Sequence, residues 1–127
     1  MEFRSAGVIG AGAWGTALAQ VTGWAGLDTL LHAREAEVVD SIRDHRVNEA
    51  FLPGVTLSDH VSVTGDLADL GACDVILAVP PAQYMRATLA AFAPFHRAGV
   101  PVVLCAKGIE RGSLKLMTEV LAETLPN

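Results

Sequence analysis

The stretch IGAGAWGTALAQ, residues 9–20, decides how the whole chain is read. Three readings compete for it: a phosphate-cradling turn between a strand and a helix, the apolar part of a secretory leader, or a piece of alanine-rich core helix. Gly10-Ala11-Gly12-Ala13-Trp14-Gly15 fits the pattern G-x-G-x-x-G. Just before it, Ala6-Gly7-Val8-Ile9 is the short apolar run of a buried strand. From Trp14 onward Ala17, Leu18, Val21 and Ala25 recur at helical spacing, and Gly26 closes the segment. Strand, glycine turn and helix in that order make a dinucleotide-binding turn. The first glycine permits the tight turn, the second lets a pyrophosphate approach bare backbone, and the third lets the helix pack close. The helix start adds unpaired N–H groups and the positive end of its dipole. A glycine cluster that serves packing alone is the competing reading.

The leader reading fails on the same residues. Arg4, the apolar run and Ala17-Leu18-Ala19 imitate its parts, but Gly7, Gly10, Gly12 and Gly15 would break the helix such a leader forms. A cytoplasmic protein is expected. Cys73 and Cys105 each stand alone in an apolar segment, which favours buried free thiols in a reducing compartment over a disulfide. Neither has a partner at metal-ligand spacing, so no metal site is expected.

Bulk properties fit one α/β domain. At 127 residues the chain can bury a single core. Its mean hydropathy of +0.39 suits a sheet covered on both faces. The apolar runs at 75–82 and 100–106 contain proline and are far too short to span a bilayer. A net charge of −5 with no basic run argues against nucleic acid, so an anionic ligand has to be held by local groups.

The remaining segments alternate. Thr29-Leu30-Leu31 predicts a second strand, 35–46 a surface helix with Val38, Val39 and Ile42 inward, and 47–60 a long loop. Val61-Ser62-Val63-Thr64 predicts a third strand and 66–70 a short helical turn. Residues 74–79 predict a fourth strand, stopped by Pro80-Pro81. Met85, Leu89 and Phe92 mark a helix ending before Pro94, and Val102-Val103-Leu104 a fifth strand. Ser113 then suggests an N-cap for a last helix with Leu114, Met117, Leu121 and Leu125 on one face. The alternation predicts an α/β fold: a doubly wound, mainly parallel sheet of Rossmann type with helices on both faces.

A dinucleotide turn normally has an acidic residue after the second strand to hold the adenosine 2′-hydroxyl. Here the sequence is His32-Ala33-Arg34, and Asp28 stands at the wrong end of that strand. An arginine there can pair a 2′-phosphate, stack on adenine, or simply be solvated. NADP is therefore preferred over NAD, although Glu35 alongside could touch the ribose or oppose a phosphate.

Taken together, several ordered fragments resemble the NAD(P)-dependent glycerol-3-phosphate dehydrogenases. They are Ala13-Trp14-Gly15-Thr16-Ala17 in the glycine turn, and Asn48-Glu49-Ala50-Phe51-Leu52-Pro53-Gly54 in the long loop. Val79-Pro80 with Tyr84 follows the fourth strand, and Lys107-Gly108-Ile109-Glu110 follows the fifth. His32-Ala33-Arg34 departs from the family's aromatic-x-Arg, and Pro81 replaces a small polar residue. The resemblance implies cofactor contacts from Gly10, Gly12, Ala13, Trp14, Gly15, Arg34, Phe51, Pro80, Tyr84 and Lys107. It also places Lys107 against the substrate, a small phosphorylated three-carbon compound.

The family's second, helical domain carries its acid/base lysine. That domain lies beyond residues 1–127, which are expected to form a single NAD(P)-binding domain with no complete catalytic set. Cofactor binding without turnover is the expectation, with homo-oligomerisation open. The alternatives are a stand-alone nucleotide-sensing or assembly module, or the first half of another two-domain NADP reductase. His45, His60 and His96 have no nucleophile or carboxylate at useful spacing and are expected to be solvated.

Overall fold

Strands and helices alternate along the computed structural model, which describes residues 2–126. In chain order they are β1 (Ser5–Ile9), α1 (Ala13–Trp24), β2 (Asp28–His32), α2 (Ala36–His45) and β3 (Val61–Thr64). A 3-10 helix (Leu67–Ala72) leads to β4 (Val75–Ala78), α3 (Ala82–Phe92), a 3-10 turn (Ala93–Phe95), β5 (Val102–Leu104) and α4 (Met117–Thr124). Every strand pair is parallel, and the order across the sheet is β3-β2-β1-β4-β5. The expected doubly wound Rossmann-type sheet is the one found. Its order reverses between β1 and β4, the switch point where such sheets leave a crevice at their carboxyl ends.

The central strands β1 and β4 are mostly apolar on both sides because both sides are covered. Val8 points into one cluster with Leu31, Val61 and the α2 residues Val38 and Ile42. Its neighbour Ile9 points into the other, with Ile76, Met85, Leu89, Phe92 and the α4 residues Met117 and Val120. Pairing residue by residue with His32 and Ala78 fixes Ile9 as the last residue of β1. The glycine turn therefore starts at the level where the sheet ends.

Helix α1 forms where expected but turns a different face inward. The side chains at helical spacing, Ala17, Leu18 and Val21, lie half-buried or exposed, and Ala25 is exposed past the helix end. The buried face is Gly15, Thr16, Ala19, Gln20 and Gly23. The reason is distance. A Cβ on Gly15 would lie 1.7 Å from the Gly10 carbonyl oxygen, and one on Gly23 would lie 3.0 Å from Val61. Where the helix comes that close, at Gly15 and Gly23, no side chain fits, and Leu18, Val21, Trp14 and Trp24 lie on its other sides. Thr16 and Gln20 are polar and buried because they hold the loop that follows.

Residues 47–60 have no regular element, as expected, yet they are tied down by side chains. Gln20 Nε2 donates to the Thr56 carbonyl at 3.0 Å, and Gln20 Oε1 accepts from the Ser58 N–H at 2.7 Å. Asn48, fully buried, reaches back to the glycine turn. Ser41 of α2 donates to the Val47 carbonyl at 2.6 Å, and Arg46 caps the Ser58 carbonyl. The loop is a packed strap across α1 and α2.

The last helix starts later than Ser113 suggests. Gly112 and Leu114 both have left-handed backbones (φ 84° and 60°), so residues 110–115 close a tight loop. The Glu110 N–H donates to the Lys115 carbonyl at 2.9 Å. Ser113 donates to Glu110 within that loop instead of capping a helix, and Leu114 is exposed. Helix α4 begins at Met117, where the Glu119 carboxylate accepts the Leu116 N–H at 3.0 Å.

Candidate functional site

The crevice at the carboxyl ends of β1, β2 and β4 is a hollow of about 820 Å³. Gly10, Gly12 and Gly15 line it together with Trp14, Arg34, Phe51, Pro80 and Tyr84. The glycines have three separate reasons to be there. Gly10 has φ 110°, and a Cβ on it would sit 3.2 Å from the Pro80 nitrogen, so the turn and the end of β4 are close-packed. Gly15 allows α1 to start directly against the Gly10 carbonyl. At Gly12 a Cβ would meet no atom within 4 Å, so its bare backbone faces open space. Gly12 is also the N-cap of α1 and offers no side chain to the first N–H groups of the helix. An uncapped helix N-terminus opening into a crevice is suited to an anion. A pyrophosphate fits these residues.

Around this turn the walls are aromatic and only lightly charged. Trp14, Phe51 and Tyr84 keep 61%, 44% and 60% of their surface exposed. Exposed rings converging on one hollow are available for a flat, partly apolar ligand. At the β2 end stand His32, Arg34, Glu35 and, after β3, Asp66. Burial pushes the His32 imidazole below its ordinary value, so the neutral ring is favoured there. The Arg34 guanidinium is mostly solvated and lies 3.7 Å from the Glu35 carboxylate. That pair is loose and exposed, so a better anion can displace it at little cost.

Lys107 opens onto a second, smaller hollow of about 560 Å³, with Leu104, Cys105 and Ala106. Trp14, Val79, Pro80 and Pro81 line both hollows and form the ridge between them. The loop carrying Lys107 is fixed from α3. Gln83 Nε2 donates to the Ile109 carbonyl at 3.0 Å, and Gln83 Oε1 accepts the Arg111 N–H at 2.9 Å. Arg86 grips Glu110 with a bidentate pair at 2.9–3.1 Å and reaches Glu123 at 3.4 Å, which Lys115 holds at 2.7 Å.

This network predicts an acid-sensitive limb of stability. Hydrogen bonds from Arg86 and then Ser113 hold the Glu110 carboxyl below its ordinary 4.5. Bonds from Lys115 and Arg86 do the same for Glu123. Lowered carboxylate values stabilise the fold fully above the ordinary value, and that stability is lost as pH falls through the folded ones. Melting curves from pH 6 to pH 3 should therefore show Arg86→Gln below the unsubstituted chain at pH 6. The gap should close as pH drops under the ordinary 4.5; a gap of constant size contradicts the assignment.

Nine of the ten residues marked in the sequence line one or both hollows. The exception is Ala13, whose side chain is exposed outside them and whose backbone begins α1. Lys107 lines only the smaller hollow. The sequence reading passed over Asp66, Thr88 and Ala91, which line the larger one. Asp66 was findable, since it lies two residues past a parallel strand's carboxyl end; the α3 residues needed the helix orientation. Cys73 is buried and Cys105 half-buried, both as free thiols, and burial raises the pKa of each. Among the described residues no group of His, Cys, Asp and Glu is arranged to hold a metal, and no helix is long and apolar enough to cross a membrane.

Known proteins share both the sequence and the fold. Over 126 residues the chain is 61% identical to the NAD(P)+ glycerol-3-phosphate dehydrogenase of Caulobacter vibrioides, covering 99% of this chain and 38% of that protein. It is 52% identical over 125 residues to the corresponding dehydrogenase of Maricaulis maris, covering 98% of this chain and again 38% of the relative. The crystal structure of glycerol-3-phosphate dehydrogenase from Coxiella burnetii superposes with a TM-score of 0.90 at 28% identity, over 98% of this chain and 38% of that one. The chain thus spans little more than a third of the length of these relatives. With residues 5–127 matching the family described as the NAD-dependent glycerol-3-phosphate dehydrogenase N-terminus, the chain belongs to that family.

Proposed function

We propose that residues 1–127 form one NAD(P)-binding domain whose larger hollow holds the dinucleotide, as the first part of an enzyme interconverting glycerol 3-phosphate and dihydroxyacetone phosphate. The observation that carries the proposal is the bare, uncapped turn at Gly12, open where a Cβ would meet nothing. The N–H groups at the start of α1 would hold the pyrophosphate. Arg34 would take the 2′-phosphate, which makes NADP the preferred cofactor; an arginine where a carboxylate normally follows β2 supports this, and the neighbouring Glu35 moderates it. Trp14, Phe51 and Tyr84 would shield the rings from water. When bound, the nicotinamide supplies hydride exchange.

Lys107 stands across the ridge from the larger hollow, past the end of β5. Its ammonium would attract the substrate phosphate and stabilise negative charge developing on the carbonyl oxygen. The family's acid/base group is expected in the part of the relatives this chain does not span. Two free thiols suit a reducing, cytoplasmic setting.

The proposal is tested by turnover. The chain alone should bind NADPH yet oxidise it with dihydroxyacetone phosphate no faster than buffer. Fusion to the remainder of the Caulobacter relative should restore turnover. Robust reduction by the chain alone overturns the claim that it lacks a complete catalytic set; a fusion that folds and binds NADPH without turnover overturns the substrate assignment.

A further inference from the structure

Asn48 is fully buried, and both its amide nitrogen and its amide oxygen are hydrogen-bonded. Nδ2 donates to the Ala11 carbonyl at 2.9 Å and to Thr16 Oγ1 at 2.9 Å, while Oδ1 accepts the Phe51 N–H at 3.2 Å. The amide's orientation is fixed by chemistry, because a carbonyl only accepts and an N–H only donates. One side chain therefore joins three parts of the larger hollow: the middle of the glycine turn, the first turn of α1, and the strap carrying the Phe51 ring. The Asn48 carbonyl also accepts the Leu52 N–H at 2.9 Å, closing residues 48–52 into a tight turn. Phe51 projects from that turn and is 44% exposed, so packing alone does not fix its ring. The strap's other anchors, at Ser41, Gln20 and Arg46, grip residues 47, 49, 56 and 58. None of these hydrogen bonds involves Phe51 or the glycine turn.

We infer that Asn48 is a positioning residue: it sets the distance between the phosphate turn and the Phe51 ring, and so the width of the slot for the cofactor. The inference rests on the larger hollow being the cofactor site. Its effect passes through Phe51, and this separates it from a general contribution to folding. A buried amide that only held the fold would cost stability and cofactor affinity alike, whatever stood at position 51. A positioning amide costs affinity only while there is a ring to position.

The test is a double-mutant cycle on Asn48→Ala and Phe51→Ala, read both as NADPH affinity and as melting temperature. Removing the ring's contribution should weaken binding about five- to tenfold, the usual worth of an aromatic contact. Asn48→Ala should do the same in the natural chain but less than about twofold in the Phe51→Ala background, the signature of coupled residues. The loss of melting temperature from Asn48→Ala should be equal in both backgrounds. Asn48→Ser, which keeps a hydroxyl too short to span both sides, serves if the alanine variant does not fold, with the same pattern expected. Equal loss of affinity in both backgrounds, or no loss in the natural chain, overturns the assignment. Failure of the unsubstituted chain to bind NADPH overturns the cofactor site itself, and this inference with it.

Discussion

Gly15→Ala is expected to abolish binding of NADPH and NADH and to lower the melting temperature of the chain by many degrees. The added methyl would lie 1.7 Å from the Gly10 carbonyl oxygen. That oxygen is backbone in a turn with φ 110° at Gly10, itself packed against the Pro80 nitrogen, so it cannot swing aside. Relief requires α1 to move off the turn, which breaks the packing of Thr16, Ala19 and Gln20. Overpacking of this kind costs about 3 kcal/mol or more when backbone is the obstacle. The paired control is Gly12→Ala. There the methyl meets no protein atom within 4 Å, so stability should fall by about 1 kcal/mol or less, the worth of a changed N-cap. Cofactor affinity should still collapse, because the methyl stands where the pyrophosphate would approach. Calorimetry and fluorescence titration of both variants separate the roles. Equal stability of the two variants contradicts the assignment of close packing to Gly15.

Arg34→Ala is expected to weaken NADPH about tenfold to a hundredfold, the range for losing a hydrogen-bonded charge partner, and to leave NADH within about twofold. The guanidinium is exposed, and its carboxylate partner at 3.7 Å is a weak competitor. Its removal should therefore leave the melting temperature of the free chain unchanged. Side-by-side titrations check both points. Equal loss for NADPH and NADH would show that Arg34 stacks on the adenine and does not read the 2′-phosphate.

Much of the fold was legible because each local signal pointed the same way. Ala6 to Ile9, the glycines and the alternation of short apolar runs all demand a parallel sheet with crossover helices, and Pro94 stops α3 where it should. The inward face of α1 was not legible. Periodicity assumes that the larger apolar side chains face the core, whereas the close approach at Gly15 and Gly23 admits only small ones. Ser113 misled for a related reason: a cap residue signals a helix only if the backbone is free to start one, and Gly112 and Leu114 had already turned it.

The site divides in the same way. Gly10, Gly12, Gly15, Arg34 and Lys107 stand at the carboxyl ends of strands or just past them, so the chain order and the fold class together reveal them. Asn48 does not. Polar, in a long loop and far from any strand end, it looks like a surface residue until the fold brings Ala11 and Thr16 to its side chain.

The most direct test of the central claim is a titration of the unsubstituted chain with NADPH and with NADH, followed by Trp14 fluorescence and by melting temperature. Trp14 borders both hollows, so its emission should change saturably. Cofactor at a hundred times its dissociation constant should stabilise the chain by about 2.7 kcal/mol, with NADPH binding the tighter. A chain whose fluorescence and melting temperature stay fixed at millimolar concentrations of either cofactor contradicts the account.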